Sequence, residues 1–278
     1  MAKRIGTAIL FCGALLLGGP VWGQGQPSST PSKTTGDKSA GAPAQTTAPP
    51  VSAEEDAAIK AFRDDKGADL AHKEKLGEEF LQKYPQSRYD FEVENWLVRG
   101  YVSSGQVDKM EAAGEKDLQL NPNDAQTMAI LGSTLPRAMN ASTPNREQKL
   151  AQSEQYCKKA LELLPTMLKP EGLSQEAFER AKDQTAAMAY GGLGLVAFRQ
   201  GKLSEAIEPF EKSVKLDPQP DPVNYYLLGL SYQKTSHFED AVTAYTKCAG
   251  IPSGMQPTCK AAIDEAKKLA ATQLSAPK

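Results

Sequence analysis

Residues 190–218 read YGGLGLVAFRQGKLSEAIEPFEKSVKLDP, and residues 225–252 read YYLLGLSYQKTSHFEDAVTAYTKCAGIP. The first stretch sets Tyr190, Leu193, Gly194 and Ala197 at helical spacing, followed by Ala206 and Phe210 and then Pro218. Thirty-five residues later Tyr225, Leu228, Gly229 and Tyr232 return, followed by Ala241 and Tyr245. Apolar residues three and four apart mark one face of a helix, and repetition at this period marks a stacked array of helical hairpins. Small and large residues alternate because the hairpin must close: Gly194, Gly229, Ala206 and Ala241 let two helices approach while Phe210 and Tyr245 fill the gap. Gly201 suits the turn after the first helix and Ser204 suits a cap on the second. Asp217-Pro218 ends that helix. Pro209 is expected in its opening turns, where a missing amide hydrogen costs least.

These columns resemble the tetratricopeptide repeat, and residues 187–220 and 222–255 are similar to two such repeats. Spacing alone extends the resemblance upstream. Residues 91–124 carry Leu97, Tyr101, Gly105 and Leu118 to Pro122, and residues 125–166 carry Met128, Leu131, Gly132 and a helix ending at Pro165, with an inserted loop from Pro136 to Asn145. Residues 54–87 supply one more pair through Leu76, Phe80, Leu81 and Tyr84-Pro85. A helix at 258–273, apolar at Ile263, Ala266, Leu269 and Ala270, would cap the open end. The expected fold is all-α, a helical-hairpin solenoid with a C-terminal capping helix over residues 53–274.

The ends of the chain carry a different signal. Lys3 and Arg4 precede a ten-residue apolar run, Ala8 to Leu17, and then Gly18, Gly19 and Pro20. This order describes a secretory signal peptide over residues 1–23. A bilayer-spanning helix takes about 20 apolar residues, so no stable membrane insertion is expected after cleavage, and the mature chain is expected in the periplasm or outside the cell. Residues 24–52, rich in Gly, Pro, Ser and Thr, bury too little to offset their ordering entropy and read as a disordered linker.

Composition narrows the function. The 278 residues are 40% hydrophobic and 24% charged, with a formal net charge of −2. Loss of Lys3 and Arg4 with the leader removes no acid and makes it −4. Nothing in this charge pattern invites nucleic acid. Gly192-x-Gly194-x-x-Ala197 matches a dinucleotide fingerprint as a string, but the helical Ala186 to Tyr190 stands where a strand is required. His72 and His237 lack ligand partners at metal-binding spacing. The expectation is therefore neither enzyme nor metal site, and no cofactor.

The resemblance implies a concave groove lined by the first helices of the hairpins. Its expected lining is Met188, Leu195, Phe198, Arg199, Val223, Tyr226, Leu230, Gln233 and Lys234. Repeats of this family that grip a terminal carboxylate use Asn and Lys at matching columns, and Leu195 and Leu230 stand there instead. An apolar strip flanked by Arg199 and Lys234 suits a protein or peptide segment. The alternative is internal packing of these residues, or self-association. The function implied is an interaction scaffold or adaptor in the bacterial cell envelope; the runner-up is a regulatory subunit of an envelope enzyme, or a hydrolase with an unrecognised site. Cys248 and Cys259, eleven apart, would form a disulfide pinning the cap in an oxidising compartment, worth roughly 3 kcal/mol in the chain-entropy account. Two half-buried thiols are the other reading. Cys157 falls in the column of Phe210 and Tyr245 and is expected in the core.

Overall fold

The computed structural model describes residues 52–275, so the leader and nearly all of the linker lie outside the described residues. Among the described residues the chain forms eleven α-helices and no strand: α1 (Ala53–Asp64), α2 (Leu70–Lys83), α3 (Asp90–Ser104), α4 (Val107–Leu120), α5 (Ala125–Ala138), α6 (Arg146–Leu163), α7 (Gln175–Arg199), α8 (Leu203–Leu216), α9 (Pro222–Lys234), α10 (Phe238–Gly250) and α11 (Gln256–Ser275). The helices pair as antiparallel hairpins stacked in chain order, which confirms the all-α solenoid. Capping begins many of them. The side chains of Ser52, Asp69, Asp124, Ser174 and Asp221 each accept a first-turn amide of the helix that follows, satisfying donors that have no partner within the helix.

The hairpins close where the pattern places small residues. A Cβ on Gly194 would stand 2.7 Å from the Phe210 ring, and one on Gly229 would stand 2.6 Å from the Tyr245 ring. Ala206, Phe210 and Ala241 are wholly buried, and Tyr245 is nearly so. In the third hairpin the same column holds Cys157, also wholly buried. Its sulfur is 2.3 Å from a Cβ built on Gly132 and 2.5 Å from one built on Gly192. Here α7 presses on the α5–α6 hairpin, and a thiol fits where a ring would not.

The first helices α3, α7 and α9 end alike. The amides of Gln106, Lys202 and His237 reach back five residues to the carbonyls of Tyr101, Ala197 and Tyr232. That closure needs a left-handed residue just before it, and Gly105, Gly201 and Ser236 sit at φ 72°, 78° and 65°. Only the last carries a side chain into that strained region.

Three features depart from the sequence reading. The helix α5 runs on to Ala138 with Pro136 inside it, so the inserted loop is the shorter stretch 139–145. The amide that Pro136 lacks would have bonded the Gly132 carbonyl, and that oxygen lies instead against Gly192 of α7, 2.9 Å from an ideal Cβ position there. The repeat pattern assigns nothing to residues 167–186, yet α7 begins at Gln175 and runs for 25 residues, with Phe178 buried on its added turns. Finally, Pro209 is the seventh residue of α8 and not in its first turn.

The helix α11 covers the end of the stack. Ala266 is wholly buried against Ala241 and Tyr245, and Gln233 Nε2 donates to Glu265 Oε1 at 3.0 Å. Leu269, expected on the packed face, is 37% exposed. Cys248 and Cys259 are joined as a disulfide between α10 and α11, with a Cα–Cα separation of 5.9 Å inside the usual range for such a bond. No described helix is long and apolar enough to cross a membrane.

Candidate partner-binding groove

The helix α9 has its faces divided among neighbours. Asn224, Leu228 and Ser231 point inward: Leu228 joins Leu195, Ala206 and Phe210, while Asn224 Nδ2 donates to Ser213 Oγ at 3.1 Å. Tyr232 donates to Glu211 of α8. Tyr226 leans on Tyr245 with ring centroids 5.7 Å apart. One stripe is left, Val223, Leu227, Leu230 and Lys234, whose spacing of three and four residues puts them on a single face. The three apolar members are half-buried and Lys234 is exposed.

The nine residues expected to line a groove therefore divide. Leu195 is 5% exposed and Gln233 is 9% exposed. Leu195 belongs to the core with Phe210, and Gln233 accepts from the Tyr245 hydroxyl at 2.9 Å while holding Glu265 of the cap. Neither offers a side chain to a partner, which corrects their placement in the groove. Met188 packs against the core of the N-terminal hairpins and Tyr226 against the core beneath α11. Arg199, Val223, Leu230 and Lys234 keep surface, and Phe198 and Leu227 keep some while their other sides pack against the core of Leu195 and Phe210. The spacing of Leu227 from Val223 and Leu230 is the signal that marks it in the sequence.

Leu195 is covered by Ala206 and Phe210 of α8 and Leu228 of α9, and Met188 by the N-terminal core. Arg137, near the end of α5, pairs with Asp221, the N-cap of α9, and so ties the first helices on either side of α7. Beside it Arg146 Nη2 donates to the Arg199 carbonyl at 2.7 Å, and Arg199 Nη2 donates to the Arg137 carbonyl at 3.4 Å. Burial lowers the pKa of Arg199, and the nearby Arg146 charge adds to the effect.

A second polar group lies between the second and third hairpins. Asp117 of α4 is 0% exposed, with Asn95 and Thr127 as its neutral polar neighbours. Asp124, the N-cap of α5, accepts from the Thr127 amide at 2.9 Å and from Asn95 Nδ2 at 2.8 Å. Burial first, and the Asp124 charge second, push the Asp117 carboxyl up to about 7, while Thr127, Asn95 and Arg99 oppose the shift. Sequence reading passed over Asp117 because it occupies the position that Ala160 and Ser213 hold in the following hairpins, and a lone Asp among scattered charges carries no signal.

Comparison with known proteins agrees with the fold. The profile described as "Tetratricopeptide repeat" matches residues 187–220 and 223–253. The chain contains tetratricopeptide repeats. Among solved structures it is similar to PilW, described as a widely conserved type IV pilus biogenesis factor, at 15% identity and a TM-score of 0.50, covering 81% of this chain and 96% of that one. It is similar also to PilF of Pseudomonas aeruginosa, at 17% identity and a TM-score of 0.50 over 78% of this chain and 87% of that one. A thermophilic repeat protein of Thermus thermophilus matches at 16% identity and a TM-score of 0.49 over 77% of this chain and 99% of that one. At these identities the likeness concerns the fold. No curated protein matches the chain.

Proposed function

We propose that this tetratricopeptide-repeat protein is an interaction scaffold of the bacterial cell envelope, and that it holds a segment of a partner protein along the outer face of α9. The observation that carries the reading is the stripe Val223, Leu227, Leu230 and Lys234, which the neighbouring helices leave only partly covered. Phe198 and Arg199 at the end of α7 extend it. Apolar burial along such a strip supplies affinity, and the flanking cations orient the guest. The signal-peptide pattern of residues 1–23 supports export, and the disulfide between α10 and α11 suits an oxidising compartment.

The test is affinity capture from the source organism with the wild-type protein and with a Leu230→Ser, Lys234→Glu double variant. Both positions lie outside the buried core, so the melting temperature should hold within a few degrees. A partner lost from the variant supports the groove. Equal capture by both proteins removes the site from α9.

A further inference from the structure

Arginines from three helices meet at one end of this groove. Arg137 comes from the last turn of α5, Arg146 opens α6 and Arg199 closes α7, brought together across 9 to 62 residues of chain. Each leans on the next: Arg146 on the Arg199 carbonyl, Arg199 on the Arg137 carbonyl, and Arg137 on Asp221. Among the described residues Asp221 is the one carboxylate within 4 Å of the three guanidinium groups. The ends of α5 and α7 contribute about half a negative charge each, and the start of α6 about half a positive one. Three cations against Asp221 and that sum leave about one and a half positive charges unneutralised, on a chain whose overall charge is −2.

The three side chains are half-buried, neither sunk in the core nor free in solvent. Each guanidinium has five N–H donors in a planar fork suited to carboxylate geometry, and each has one bond to protein. Phe198, beside Arg199, and the α9 stripe beginning at Val223 place apolar surface next to this charge.

Resting on the groove reading above, we propose that Arg137, Arg146 and Arg199 form a carboxylate-binding subsite that receives an acidic residue of the partner segment, whose following apolar residues lie along α9. The guest is an acidic-apolar peptide. Its carboxylate takes the unused donors of Arg146 and Arg199 and competes with Asp221 for Arg137. The subsite is separate from the columns of Leu195 and Leu230.

The probe is a fluorescein-labelled twelve-residue peptide with two Glu ahead of a Leu-rich half, compared with its Gln counterpart by polarisation at low and moderate salt. The acidic peptide should bind about tenfold or more tightly than the Gln peptide, with the advantage shrinking as salt rises. Arg146→Gln and Arg199→Gln should each remove most of that advantage, weakening the acidic peptide several-fold more than the Gln peptide. Asp221→Asn keeps an N-cap side chain on α9 but removes the competing charge, and it should tighten the acidic peptide several-fold. A merely structural role for the arginines gives no reason for that gain.

Equal binding of the Glu and Gln peptides, both lost with Leu230→Ser, overturns the subsite and leaves the groove standing. Binding of neither peptide overturns both. Inorganic phosphate at millimolar concentration bound on the arginines, without preference for the acidic peptide, overturns the peptide as guest.

Discussion

Replacing Asp117 by Asn should make the protein more stable at neutral pH and flatten its response to acid. The Asp117 carboxyl is wholly buried beside the second buried carboxyl of Asp124, and Thr127, Asn95 and Arg99 only partly offset that cost. Its half-protonation rises from 3.8 to about 7 on folding. The folded state therefore holds the proton more tightly than the unfolded one. Stability from this group is complete below about pH 4, falls as pH rises toward 7, and is level above. Each unit between the two values corresponds to about 1.4 kcal/mol, so the ionised Asp117 costs at most roughly 4 kcal/mol at pH 8. Asn has nearly the same shape and no charge. For a folded unit of this size that upper bound corresponds to about 8–16 °C in melting temperature. Glu94 of α3 is pushed to about 7 as well, by burial and then Asp90 against Lys116, so Glu94→Gln is the control for the rest of the slope. The assay is thermal melting at pH 5 and pH 8 for wild type and both variants. Asp117→Asn melting no higher than wild type at pH 8, with the same difference between the two pH values, refutes the reasoning.

Four further outcomes follow from the packing. Gly229→Ala places a Cβ 2.6 Å from the Tyr245 ring and should destabilise by about 1–3 kcal/mol, as Ala241→Leu should in the same wholly buried hairpin; denaturant midpoints measure both. Ser236→Gly relieves a side chain at φ 65° and should stabilise by about 0.5–1 kcal/mol, read in the same titration. Reduction of the Cys248–Cys259 bond, or Cys248→Ser, should cost about 3 kcal/mol and raise hydrogen exchange in α11 before it does so in α7 or α8.

The last third of the chain was legible because its information is local and repeated. Gly194 with Phe210 and Gly229 with Tyr245 are pairs separated by one hairpin, so the same two-helix solution writes the same columns twice. Cys157 could be placed by that logic too. The inserted loop was drawn too early because a proline was taken as a boundary, whereas Pro136 lies within α5, its missing bond falling on a carbonyl that α7 packs against. The added turns of α7 had no column to announce them.

Sequence alone thus determined the helical class, the hairpin register and the closing contacts, since helix periodicity and small-large pairing act within about 35 residues. The groove was decided elsewhere. Whether Leu195 is surface or core depends on how α7, α8 and α9 pack together, and the charge at the groove's end depends on Arg137 meeting Asp221, 84 positions away. Asp117 beside Asp124, and Arg146 beside Arg199, are likewise products of stacking. A side chain's own neighbours fix which face of a helix it occupies, but only the packed array fixes what covers that face, and with it the charge and solvent that decide what the face can bind.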